Sequence, residues 1–139
     1  MDKLAIPRLM LAAPGSSTGK TTLACALLQA LRNRKLSPAA FKCGPDYIDP
    51  MFHTRVLGVQ SRNLDLFFTG EDTLLSLFAH HCRSRDIALL EGVMGYYDGV
   101  GGGTQASSWH LACVTQTPVI LVLDPKGMSL SAAAVIQGS

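Results

Sequence analysis

The side chains of this 139-residue chain whose types and spacing could do chemistry fall in three places. The first is Pro14-Gly15-Ser16-Ser17-Thr18-Gly19-Lys20-Thr21-Thr22, which follows the apolar run Leu9 to Ala13 and precedes a helical pattern. In a strand, loop, helix context, successive backbone N–H groups and a helix N-terminus cradle phosphate oxygens, and glycines let the backbone come close. Gly15, Ser16, Ser17, Thr18, Gly19, Lys20, Thr21 and Thr22 are therefore the candidate nucleotide-binding residues. Lys20 would reach the terminal phosphates as a point charge, and the Thr21 hydroxyl would ligate Mg²⁺. The full pattern G-x-x-x-x-G-K-S/T is not met, because Pro14 stands where its first glycine would be. A Gly/Ser turn with a solvated lysine is the competing reading, and the flanking strand and helix weigh against it. No guanine-reading N-K-x-D motif occurs, so the nucleotide is read as ATP.

The second place is Phe41-Lys42-Cys43-Gly44-Pro45-Asp46-Tyr47-Ile48-Asp49-Pro50, which sets two carboxylates three residues apart beside a lysine and between two prolines. Prolines restrict the backbone, so such a loop is pre-organised. The third place is Glu91-Gly92, where a carboxylate emerges from the apolar strand Ile87 to Leu90 toward the phosphate loop. Mg²⁺ takes one or two carboxylates together with substrate phosphate, and Thr21, Asp46 and Glu91 could supply protein oxygens to one such ion. Asp49 and Asp98 compete with a plainer reading as turn or cap residues, Asp98-Gly99 being an ordinary turn dipeptide.

Four apolar runs of strand length position these residues: Leu9 to Ala13, Ala39 to Cys43, Ile87 to Glu91 and Val119 to Asp124. They do not alternate apolar with polar, as expected of strands covered on both faces. Helices are predicted over Thr21 to Leu31, Glu71 to Cys82, Thr104 to Val114 and Ser129 to Gln137, with Gly70 and the Glu71-Asp72 pair suiting a helix start. The fold class is α/β: a parallel sheet of the P-loop NTPase kind with helices on both faces. Ligands bind such sheets beyond the carboxyl ends of the strands, and the loops Pro14 to Lys20, Gly44 to His53, Gly92 to Gly103 and Pro125 to Met128 all follow strand ends.

Lys+Arg number 12 against Asp+Glu 10, and 47% of residues are hydrophobic. This balance, with a pI near 8.4, gives neither a nucleic-acid footprint nor a basic membrane patch. The N-terminal apolar run of five residues is too short for a secretory signal or a membrane helix. Cys25, Cys43, Cys82 and Cys113 stand 18, 39 and 31 positions apart, which suggests neither zinc nor a disulfide framework, so reduced thiols in a cytoplasmic protein are expected. The histidines have no metal spacing, and Trp109 is read as a helix packing residue. The Gly101-Gly102-Gly103 run fits no motif.

The segments GPDYIDPMFH (Gly44 to His53), SRNLD (Ser61 to Asp65), EGVMGYYDG (Glu91 to Gly99) and PVILVLD with KGMSLSAAA (Pro118 to Ala134) together resemble the N-terminal domain of the cobyrinic acid a,c-diamide synthases, from Leu9 onward and in order. Cys43 departs from the aliphatic residue expected there. That family sits in a wider group of carboxylate-activating P-loop ATPases with dethiobiotin synthetase and cobyric acid synthase. The resemblance implies ATP-dependent amidation of the a- and c-carboxylates of a corrin ring (cobyrinate or hydrogenobyrinate) in cobalamin biosynthesis, with glutamine as nitrogen donor. It implies Lys20 and Mg²⁺ on the phosphates, Asp46 and Glu91 on the metal, and Tyr47, Asp49 and Asp98 orienting the substrate carboxylate or the attacking ammonia. It further implies that residues 1–139 are the N-terminal part of an amidoligase, the glutaminase unit lying outside them, and leaves room for a homodimer. No cysteine carries a glutaminase signature.

Two other enzyme readings, dethiobiotin synthetase and cobyric acid synthase, share the phosphate loop. Cobyric acid synthases carry a loop like FKPQNMALNS in place of FKCGPDYIDP. A partitioning-type ATPase switch would place a second lysine early in the loop, where this chain has Gly15.

Overall fold

The computed structural model describes residues 5–15, 19–44, 58–93 and 95–138. Five parallel strands make one sheet: β1 (Arg8–Ala12), β2 (Pro38–Cys43), β3 (Ser61–Leu64), β4 (Ile87–Glu91) and β5 (Val119–Leu121), in the spatial order β3-β2-β4-β1-β5. The helices are α1 (Lys20–Asn33), α2 (Glu71–Cys82), α3 (Ser108–Thr115) and α4 (Leu130–Gly138), with a short 3₁₀ turn at Val100–Gly102.

Residues on each strand alternate between two apolar layers, as side chains of period two must when both faces are covered. Leu11, Ala40 and Leu89 pack with Ala24 and Leu28 of α1. Met10, Ala39, Phe41, Ala88 and Leu90 pack on the other face with Leu74 and Phe78 of α2 and Leu111 of α3. The Phe41 and Phe78 rings meet at 5.0 Å and 58°, an inclined contact favoured by aromatic quadrupoles. Helices on both faces of a parallel sheet is the architecture expected from the unbroken apolar runs.

Two differences from the expected elements have local causes. The strand β3 was not among the four expected. Its sequence Ser61-Arg62-Asn63-Leu64 has one apolar residue, Leu64, which faces the α2 layer. At four residues on the sheet edge, β3 gives no hydrophobic signal, and its strand character comes from pairing with Ala40 to Cys43. The second difference is α3, which begins at Ser108, four residues later than the expected start at Thr104. Ala106 has φ +62°, and the Ser107 hydroxyl accepts a hydrogen bond from the His110 N–H at 3.1 Å. That serine is the N-cap, and it fixes where the helix starts.

Strand order decides where a site can form. From β1 the chain crosses to β2 on one side, whereas from β4 it crosses to β5 on the other. The loops after β1 and β4 therefore diverge and leave a crevice at their carboxyl ends. The register pairs Leu11 with Glu91, so Glu91 ends its strand beside the start of the phosphate loop.

Candidate functional site

Gly19 is the N-cap of α1 with φ +84°, a left-handed conformation that a β-carbon disfavours. The next residues, Lys20, Thr21 and Thr22, open the helix, so their backbone N–H groups lack intrahelical acceptors and lie at the positive end of the helix dipole. No acidic side chain occupies the first turn of α1, which leaves that end fit for an anion. Lys20 is 9% exposed. A lysine held this far into the fold at a helix start is a positioned charge rather than a solvated one.

Glu91 lies at the centre of the site. It is 2% exposed, its Oε1 accepts from the Thr21 hydroxyl at 2.8 Å, and the same oxygen lies 2.9 Å from the Lys42 ammonium. Lys42 is itself 4% exposed. The strands explain the meeting: Lys42 and Glu91 are register partners on adjacent strands and share the α1 face. The remaining carboxylate oxygen, Oε2, is buried with no hydrogen-bond partner among the described residues, a costly condition unless something else occupies it. A hydroxyl beside a buried, half-satisfied carboxylate is a hard-oxygen donor set of the kind Mg²⁺ prefers, with nucleotide oxygens completing the shell. Among the described residues no three His, Cys, Asp or Glu side chains converge as a metal cluster. The ion these residues fit is one held partly by phosphate.

Cys43, next to Lys42, reports the local field. Burial pushes its thiol up to about 12, Lys42 and Lys20 oppose the rise, and Glu91 adds to it. A thiol so placed is protonated and inert at neutral pH.

Beyond the strand ends lies a cleft of about 310 Å³ lined by Gly44, Leu64, Phe67, Val93, Ser108 and Leu111 among others, with Asp65 and Asp98 as its carboxylates. The loop that carries Asp98 is tied to the start of the phosphate loop. The Tyr96 N–H donates to the Ala13 carbonyl at 2.8 Å, and the Trp109 N–H donates to the Tyr96 carbonyl at 2.9 Å. Gly95 is squeezed between them: a β-carbon there would lie 2.8 Å from the Pro14 carbonyl oxygen and would collide with the Asp98 carboxylate. Asp65 accepts the Phe67 N–H on Oδ1 at 2.9 Å, and its Oδ2 is buried with no hydrogen-bond partner among the described residues.

Of the candidates read from sequence, the structure brings Thr21 and Glu91 into contact and sets Gly19, Lys20 and Thr22 at the same helix start. Gly15 lies just before it. Asp98 is exposed and lines the cleft. Ser16, Ser17, Thr18, Asp46, Tyr47 and Asp49 lie outside the described residues. Trp109 sits on α3 with its ring 6.2 Å from Tyr97. His110 closes a local bond, its Nδ1 accepting the Ala106 N–H at 2.9 Å. Gly101 and Gly102 belong to the 3₁₀ turn Val100–Gly102, and Gly103 follows it. Lys42 was given no role from sequence. The available signal was a cation inside an otherwise apolar strand, directly opposite Glu91 once the strand order is known.

A family model described as the CobQ/CobB/MinD/ParA nucleotide binding domain matches residues 9–135. This chain belongs to that family. Family membership agrees with a nucleotide at the α1 N-terminus, and the match spans every strand of the sheet. Similar proteins include a cobyrinate a,c-diamide synthase of Gloeobacter violaceus, 49% identical over 131 residues that make up 94% of this chain and 29% of the relative. A hydrogenobyrinate a,c-diamide synthase of Streptomyces coelicolor is 47% identical over 135 residues, 96% of this chain and 28% of the relative. A cobyrinate a,c-diamide synthase of Thermoplasma volcanium is 44% identical over 133 residues, 96% of this chain and 29% of the relative. The chain thus spans less than a third of the length of these relatives. No helix among its described residues is long and apolar enough to cross a membrane.

Proposed function

We propose that this chain is the nucleotide-binding part of an ATP-dependent a,c-diamide synthase acting on cobyrinate or hydrogenobyrinate. The observation that carries the reading is the contact of Thr21, at the N-terminus of α1, with the buried Glu91–Lys42 pair, in a chain 44 to 49% identical to proteins of that name.

A carboxylate resists attack by ammonia because its oxygen is a poor leaving group. In the proposed reaction one carboxylate oxygen of the corrin attacks the γ-phosphorus of ATP, the bond to the bridging oxygen breaks, and ADP departs. Ammonia then attacks the acyl carbon, phosphate leaves with the C–O electron pair, and the nitrogen loses a proton to give the amide. Phosphoryl transfer is largely a matter of position and charge. The α1 backbone N–H groups and Lys20 hold the phosphates in place, and Thr21 and Glu91 hold Mg²⁺, which we assign together with Asp46. The ion, when bound, neutralises charge on the phosphate oxygens. Tyr47, Asp49 and Asp98 are assigned to orienting the acceptor carboxylate or the ammonia. The cleft bearing Asp98 supports this assignment, since it lies beside the start of the phosphate loop and its mostly apolar lining suits the carbon skeleton of a macrocyclic acceptor. Glutamine, hydrolysed by a unit outside these residues, is the assigned ammonia source.

The test is a turnover assay of the complete gene product with Mg-ATP, ammonia and cobyrinate. ADP release that depends on the corrin, with carboxylate-to-amide conversion seen by mass spectrometry, is expected. ATP hydrolysis indifferent to any corrin carboxylate would contradict the reading and favour a nucleotide-driven switch.

A further inference from the structure

The turn that follows β3 carries two phenylalanines that no step of the proposed reaction uses. Phe67 and Phe68 are 59% and 72% exposed, and Phe67 lines the cleft that bears Asp98. We infer that Phe67 is a specificity-determining residue for the acceptor, its ring taking the apolar face of the corrin macrocycle while one edge of that macrocycle enters the cleft. The inference rests on the reading of this chain as part of a synthase that amidates a corrin.

The size of the cleft carries the argument. Its volume of about 310 Å³ stands at the low end of small-molecule sites, which run from about 300 to 1,000 Å³. A corrin with its peripheral acid side chains is larger than a drug-sized ligand, so the cleft admits one edge and the remainder lies against the rim. Among the described residues, two large apolar side chains both line the cleft and stand exposed: Phe67 and, on the 3₁₀ turn, Val100. Apolar surface left in water is surface that a flat apolar face can cover with a gain in free energy. The cleft also opens where the chemistry is placed. Cys43 and Gly44, which follow Lys42, and Val93, two residues after Glu91, belong to its lining.

A lone exposed apolar side chain is ordinary, but this one is held in place. Asp65 Oδ1 accepts the Phe67 N–H at 2.9 Å, and the Asp65 carbonyl accepts both the Thr69 N–H at 3.1 Å and the Thr69 hydroxyl at 2.9 Å. These bonds close a tight turn of the kind aspartate favours. The Phe68 ring meets that of Phe67 edge-on at 4.8 Å and 80°, a geometry the aromatic quadrupole prefers. A ring fixed before the ligand arrives loses little freedom on binding. One Asp65 oxygen serves the turn and the other is buried, so this carboxylate does not stand at the mouth against the acid groups of the acceptor.

The experiment uses the complete gene product, with initial rates of ADP release at varied cobyrinate and at varied ATP for wild type, Phe67→Ala and Phe67→Tyr. Phe67→Ala should raise the KM for cobyrinate about 10-fold, the scale of one lost aromatic contact, and leave kcat and the KM for ATP within about 2-fold of wild type. Phe67→Tyr, which keeps the ring, should behave as wild type. Should Phe67→Ala fail to fold, Phe67→Leu, which keeps apolar bulk and loses the flat face, decides in its place. An unchanged KM for cobyrinate overturns the inference. So does an equal rise in both KM values, which would mean that the turn acts through the fold, and so does a Phe67→Tyr as impaired as Phe67→Ala. Absence of corrin-dependent ADP release in wild type would instead overturn the underlying reading of the function.

Discussion

A carboxylate that is 2% exposed and, among the described residues, leaves one oxygen without a hydrogen-bond partner is an expensive residue for a small fold to keep, and a buried ion pair is weak evidence of stabilisation. Glu91 and Lys42 are better explained by what they hold ready than by what they add to folding. Glu91 was legible from sequence because it ends an apolar strand and is followed by glycine. Lys42 was not, since its meaning depends on which strand lies next to β2, and that is a property of the sheet. Cys43 shows the same environment from the other side, and its raised value has a measurable result. Both Cys43 and Cys82 have thiols pushed up by burial, to about 12 and about 11. The folded state holds these protons more tightly than the unfolded one, so the stabilisation is fully present below about pH 9 and is lost as pH rises toward those values. Urea unfolding should therefore show stability falling steadily above pH 9. At pH 8 Cys113, which is exposed, should react with a thiol reagent in the folded chain while Cys43 and Cys82 react only on unfolding.

At the level of elements, strands with strong apolar runs were legible and the polar edge strand was not. β1, β2 and β4 sit between neighbours and are covered on both faces, so their sequences carry the pattern themselves. The strand β3 has one face against α2 and, among the described residues, is an edge strand, and three of its four residues are polar. Its asparagine and serine keep buried oxygens without partners among the described residues, which periodicity could not have revealed. The start of α3 differs from the expected Thr104 for a local reason: nothing in Thr104-Gln105-Ala106 forbids a helix, but a left-handed Ala106 and the Ser107 cap set the boundary. Removing that cap tests the explanation. Ser107→Ala should cost about 1 kcal/mol of stability, read by urea denaturation. Because Ser107 and Ser108 line the cleft, the loss should be accompanied by faster amide exchange at Ala106 and His110. Unchanged stability and exchange would mean the helix start is held by tertiary packing alone.

For the whole molecule, strand order does what no single motif can. The phosphate loop after β1 and the carboxylate ending β4 are 70 residues apart from Thr21 to Glu91, and they meet because β4 inserts between β2 and β1. The parallel α/β class and a phosphate site at the strand ends were both readable from the order of apolar runs and loops. The neighbour relations that turn Thr21, Glu91 and Lys42 into one cluster required the sheet itself. Everything proposed about the reaction depends on that cluster lying where nucleotide phosphates bind. Calorimetric titration of ATP in Mg²⁺ into the wild-type chain and Lys20→Ala, each checked for folding by circular dichroism, tests this most directly. Loss of one positioned, charge-assisted contact should weaken binding about 100-fold, some 3 kcal/mol. Equal affinity of the two proteins for Mg-ATP would contradict the account.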